Sequence, residues 1–136
     1  MSAKNITILL MDAPFEDARS TTALRILDAA ARRGHNLTVF AYEGAVYLPF
    51  SKQARHPNAA HGRTIDEEDH PLPREWIASI RSSAEQHGGK LDWINCGLCV
   101  DERGAGEAIE GVRRGGHPDF WAQVGKDDNV LVIATK

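Results

Sequence analysis

Cysteine is scarce in this chain: 136 residues carry two, Cys96 and Cys99. That is too few for the disulfide framework of a small secreted domain, and in a reducing compartment such a pair serves chemistry or metal binding. Long apolar runs are missing as well. No stretch approaches the ~20 residues needed to cross a bilayer, so no membrane partner is expected. The leading run Ile6–Met11 is too short and too strand-like for a secretion signal, and a cytoplasmic protein is expected. Nor is there an excess of positive charge. Sixteen basic against nineteen acidic side chains give a formal net charge of −3, which argues against a partner held through phosphates, nucleic acid above all. No glycine-rich segment follows the first apolar run, so neither a dinucleotide cradle nor a phosphate loop is supported and no cofactor is assigned. What is present, 42% hydrophobic and 26% charged residues, suits one domain over residues 1–136 with one core.

Periodicity organises that domain. Asn5–Asp12 is a near-continuous apolar run, as expected of a strand buried on both faces. From Asp17 or Ser20 to Arg33 the period becomes helical, with Ala23, Ile26 and Ala30 beside Leu24, Leu27 and Ala31, and Gly34 stands where a left-handed cap is wanted. Asn36–Tyr42 is a second strand, completing a β-α-β unit. Ser51–Leu72 has no sustained period and reads as a long loop, holding His56, His61, His70 and the acidic run Asp66-Glu67-Glu68-Asp69. Pro73 opens a helix with Trp76, Ile80 and Ala84 on one line, closed by Gly88-Gly89. Lys90–Asn95 is a short strand, Glu107–Arg114 a helix turning Ala108, Ile109 and Val112 inward, and Pro118 the start of another helix with Phe120, Trp121 and Val124 on one face. Asn129–Ala134 closes as a buried strand. The expected architecture is a three-layer α/β/α sandwich around a mostly parallel sheet of about five strands.

The chemistry-bearing segment is Cys96-Gly97-Leu98-Cys99-Val100-Asp101-Glu102-Arg103-Gly104, where a strand ends and a helical turn begins. Reactive groups gather at that edge of open α/β sheets. A thiol in a first helical turn faces unpaired N–H groups, and Arg103, one turn on, brings its charge to the same side. Both favour the thiolate below the ~8.5 of a free thiol, while Asp101 and Glu102 would oppose it if they faced the sulfur. Four readings follow from the residues alone. The pair is a redox dithiol, half of a zinc site completed by loop histidines, a nucleophile holding sulfur as a persulfide, or two small buried apolar side chains. The His56, His61 and His70 spacing matches no common zinc pattern.

Taken in order, the chain resembles the DsrE/DsrF-like sulfur-relay family. The residues that carry the resemblance are Ala13-Pro14-Phe15-Glu16 after the first strand, Ala23-Leu24-Arg25 with Ala29, Gly34-His35 leading to Val39-Phe40, and Gly44-Ala45-Val46. Most specific is Cys96-Gly97-x-Cys99-x-x-x-Arg103-Gly104, similar to the signature of many single-chain members. The resemblance implies a trimer or hexamer that passes sulfur between a persulfide donor and a thiol acceptor protein, with Cys99 at the position of the persulfide-bearing cysteine and Cys96 at that of an accessory one. Only three residues separate Cys99 from Arg103, unlike the tRNA-thiolation branch, and the histidine loop maps onto no family role. Pro14, Phe15 and Glu16 should share the carboxyl edge with Cys99 and rim a donor pocket, with Gly97 giving backbone access; alternatively they form a turn capped by Asp17. Trp76, Trp93, Phe120 and Trp121 are expected as core or subunit contacts. The competing functions are a non-catalytic binding or regulatory subunit that uses the 51–72 loop for a partner or metal, and a Cys96–Cys99 dithiol redox protein.

Overall fold

The computed structural model describes residues 2–68 and 70–135. Its centre is a five-stranded sheet, β1 (Asn5–Leu10), β2 (Asn36–Ala41), β3 (Lys90–Cys96), β4 (Val112–Gly115) and β5 (Asn129–Ile133). The strand order is β4-β3-β2-β1-β5 and every pairing is parallel. Helices α1 (Arg19–Ala31), α2 (Pro73–Gln86), α3 (Gly97–Arg103) and α4 (His117–Val124) make the connections.

The period of two in the strands sorts side chains into two cores. Ile8 and Leu10 of β1, Leu37, Val39 and Ala41 of β2, and Leu91 and Trp93 of β3 pack with the buried faces of α1 and α2. The alternate residues Phe40, Ile94 and Cys96 meet Val46, Cys99, Val100, Ala105 and Phe120 on the other side. Helices therefore cover both faces, and the three-layer sandwich expected from the sequence is the fold observed. Gly34 follows α1 at φ +75°, and a Cβ there would lie 2.5 Å from the His87 carbonyl oxygen at the end of α2. Gly34→Ala should cost about 1–3 kcal/mol from a left-handed backbone and a displaced carbonyl, measurable as a lowered urea midpoint with unchanged slope.

Two expectations are corrected. Glu107–Arg114 is not a helix. Its first part lies against 49–51, through Ser51 N–H to the Glu107 carbonyl (2.8 Å), Ile109 N–H to the Pro49 carbonyl (2.9 Å) and a Phe50–Ala108 bridge. The segment from Val112 then pairs with β3 as β4. Three apolar residues in eight, between glycines at 104, 106 and 111, are too few to hold a helix against sheet pairing. The closing strand is not buried either: β5 is an edge, with Leu131 43% and Val132 58% exposed. The 51–72 segment is a long loop as expected, holding a 3-10 turn at Ala59–His61 and an Asn58–Arg63 bridge; Asp69, the end of its acidic run, lies outside the described residues. No helix among the described residues is long and apolar enough to cross a membrane.

Candidate active site around Cys99

Parallel pairing of β2 with β3 sets Ala41 opposite Asn95, so the residues that follow them, Tyr42-Glu43 and Cys96-Gly97, emerge side by side at the carboxyl edge. Cys96 ends β3 and caps α3, and Cys99 is that helix's third residue. Gly104 closes the helix at φ +65°. From the β2 side a 3-10 turn, Glu43–Tyr47, comes down on α3. Glu43 sits at φ +53° and its backbone N–H donates to Cys99 Sγ at 3.2 Å. The Glu43 carboxylate takes the Arg103 guanidinium at 2.5 Å, and the Tyr47 hydroxyl donates to the Arg103 carbonyl. Behind the turn, buried Asn95 donates to the Val46 carbonyl at 3.2 Å and accepts the Trp93 indole N–H at 3.0 Å. The turn over Cys99 is thus tied to the sheet through the Asn95 side chain and to α3 through Tyr47.

Cys99 is 3% exposed and Cys96 1%, both as free thiols. Burial pushes the Cys99 thiol up from an ordinary 9.0 to about 11; the Glu43 N–H works against this, while the neighbouring Cys96 thiol and the Glu43 carboxylate add to it. This corrects the expectation of a thiolate favoured by the helix end and Arg103. A place in the first helical turn does not outweigh removal from water, and Arg103 is held first by Glu43, with the sulfur a weaker Coulombic neighbour. The acidic neighbours are engaged elsewhere: Asp101 pairs with Arg114 at 2.9 Å and Glu102 with Arg103 at 3.7 Å. Arg114 also donates to the Gly97 carbonyl at 3.0 Å, fixing the first turn of α3.

An aromatic group flanks the thiols. Phe40 packs with Tyr42, His117 and Phe120 at ring separations of 6.0–6.3 Å, and Tyr42 meets His117 edge-on at 5.2 Å. Burial raises the Tyr42 hydroxyl pKa, and the Cys99 sulfur adds to it. Of the residues expected here from sequence, Cys96, Cys99, Arg103 and Gly97 come together. Pro14 and Phe15 instead line cavities shared with the 51–72 segment, and Glu16 is exposed on the same turn. Asp17 accepts the Arg19 N–H at 2.7 Å just before α1. Among the described residues no three His, Cys, Asp or Glu side chains gather into a group that could hold a metal, and His56 and His70 line a cavity with Phe15. Glu43, Tyr42, Asn95 and His117 were missed. The signal available for the first two was the parallel register, which sets the exit of β2 beside the exit of β3.

The fold and this edge define a class: an all-parallel α/β sandwich presenting a two-thiol turn at the carboxyl ends of its strands. The chain belongs to the DsrE/DsrF-like family, whose model matches residues 4–133. Among solved structures it is similar to the crystal structure of the ychN protein from E. coli, at 19% identity and a TM-score of 0.75 over 96% of this chain and 99% of that one. That likeness is one of fold. No curated protein matches the chain.

Proposed function

We propose that this chain is a sulfur-relay protein that carries sulfane sulfur as a persulfide on Cys99. The Cys99 thiolate would attack the terminal sulfur of a donor persulfide. The donor's S–S bond breaks, the donor departs as a thiolate, and Cys99-S-S⁻ remains. An acceptor thiolate then attacks that terminal sulfur and releases Cys99 as a thiolate, so sulfur moves with no net oxidation. The observation that carries the reading is the Glu43 N–H held 3.2 Å from Cys99 Sγ in a member of a sulfur-relay family. A backbone donor already aimed at the sulfur can stabilise the anion in either form. Arg103, one residue pair away through Glu43, supplies the positive charge once that pair opens, and Cys96 stands beside Cys99 as the accessory thiol.

The closed state is a resting one. A sulfur 3% exposed meets a donor when the 43–47 turn lifts. We place the protein in the cytoplasm as a homo-oligomer, a trimer or hexamer. Leu98 and Trp121, 68% and 67% exposed, and the β5 edge are apolar surface of the kind subunit contacts cover. Incubation with a low-molecular-weight persulfide followed by intact mass spectrometry tests the reading. Wild type should gain one sulfur atom, lost on adding thiol acceptor, and Cys99→Ser should gain none. Equal gain by both, or by neither, overturns it.

A further inference from the structure

The two cavities around Phe15 lie apart from the thiols, and neither is lined by Cys96 or Cys99. One, about 550 Å³, is floored by core residues Leu24 and Leu48 and walled by Phe15, Trp76 and Pro71. The other, about 490 Å³, lies under the 51–72 segment, and Phe15 and His70 wall both. Volumes of this order hold small organic ligands. Phe15 is 62% exposed at φ +71°, a large apolar ring kept at the surface on a backbone that a non-glycine residue adopts at a cost. Its ring meets His56 edge-on at 6.2 Å.

Charge at this mouth is uneven. Glu68 faces Arg63 at 4.0 Å and the His70 ring at 3.3 Å, and Arg19 is shared between Asp12 at 3.6 Å and Asp17 at 3.7 Å. Arg55 stands 3.9 Å from Glu75. Arg25, on the exposed side of α1 at the rim of the larger cavity, has no ion-pair or hydrogen-bond partner among the described residues. An apolar slot with one uncommitted guanidinium at its lip is complementary to a flat apolar body bearing one anionic group.

From this juxtaposition we propose that the larger cavity is a binding site for a small aryl carboxylate, its ring system between Phe15 and Trp76 over Leu24 and Leu48, its carboxylate on Arg25. A neutral arene would satisfy the walls and leave Arg25 unused. A phosphate or sulfate alone would use Arg25 and leave the walls wet. The site is independent of the sulfur chemistry, and a failed sulfur-loading experiment leaves it standing.

Calorimetric titration of the full chain decides it, with 1-naphthylacetate, 2-naphthoate and indole-3-acetate as probes, each against its own amide. At least one acid should bind one per chain and about tenfold tighter than its amide, the worth of a charge-assisted hydrogen bond. Arg25→Gln, which keeps a good helix former at an exposed position, should abolish that preference while leaving amide binding unchanged. Phe15→Ala should weaken acid and amide alike. The proposal is overturned if no acid binds below about 1 mM, if acid and amide bind equally, or if the preference survives Arg25→Gln.

Discussion

At pH 7.5 Cys99 should be alkylated by iodoacetamide at least about tenfold more slowly than an exposed, unperturbed thiol, with its rate still climbing at pH 10. A thiol moved from 9.0 to about 11 has about a hundredfold less thiolate at neutral pH. Greater basicity returns only about six- to tenfold in nucleophilicity, and burial removes more. Peptide-resolved mass spectrometry separates Cys99 from Cys96. Glu43→Gln should then raise the Cys99 rate about three- to fivefold. It removes a carboxylate that disfavours the thiolate, releases Arg103 from a 2.5 Å pair, and keeps the backbone N–H that faces the sulfur. Adding Arg103→Leu should remove the part of the gain that comes from the freed guanidinium and leave the part that comes from the lost carboxylate. Superimposable pH–rate profiles for wild type and Glu43→Gln would show that the pair does not govern the thiol. Stability carries the same sign. Unfolding returns the thiol to its ordinary range, so the unfolded chain loses this proton first. The stability contributed is complete below about pH 9 and falls as pH rises towards 11; Cys99→Ser should lack that alkaline loss.

Much of this molecule was legible because its signals are local. Asn5–Leu10, Asn36–Ala41 and Lys90–Cys96 announce themselves as short β-rich runs, and α1 and α2 as amphipathic periods bounded by Gly34, Pro73 and Gly88. Residues 112–115 gave no such signal. A four-residue strand acquires its conformation from the β3 edge it pairs with, and among glycines its few apolar residues imitate a helical turn. The exposure of β5 was equally hidden, because an edge strand and a central one share composition and differ only in sheet order. At the site, the two cysteines and Arg103 were visible as a motif, but the state of the thiol was not. Its pKa is set by burial beneath a turn 56 residues earlier in the chain, and Arg103's partner, Glu43, is 60 residues away. Neither separation leaves a trace in local spacing. The register of parallel strands is the one sequence-level inference that would have joined them.

Asn95→Leu should destabilise the protein by about 2–6 kcal/mol, a substantial fraction of the ~5–15 kcal/mol available to a domain. Asn95 is 2% exposed and satisfies two buried groups at once, the Trp93 indole N–H at 3.0 Å and the Val46 carbonyl at 3.2 Å. Leucine fills the volume and answers neither, so the cost is two stranded polar partners rather than a cavity. Urea unfolding followed by tryptophan fluorescence measures it. Trp93→Phe removes one of the stranded partners, so Asn95→Leu with Trp93→Phe should be less destabilised than the sum of the single variants. Strict additivity would mean that the indole N–H finds another partner. The same substitution reports on the site. The Val46 carbonyl anchors the turn that presents Glu43 N–H to Cys99, so cutting that anchor should let the turn lift and speed Cys99 alkylation in the native state. A core change with a similar stability cost but no contact with the turn, Leu27→Ala in α1 (0% exposed; about 2–5 kcal/mol), should leave that rate unchanged below the unfolding transition. The contrast between the two variants separates a loosened lid from a merely weakened fold.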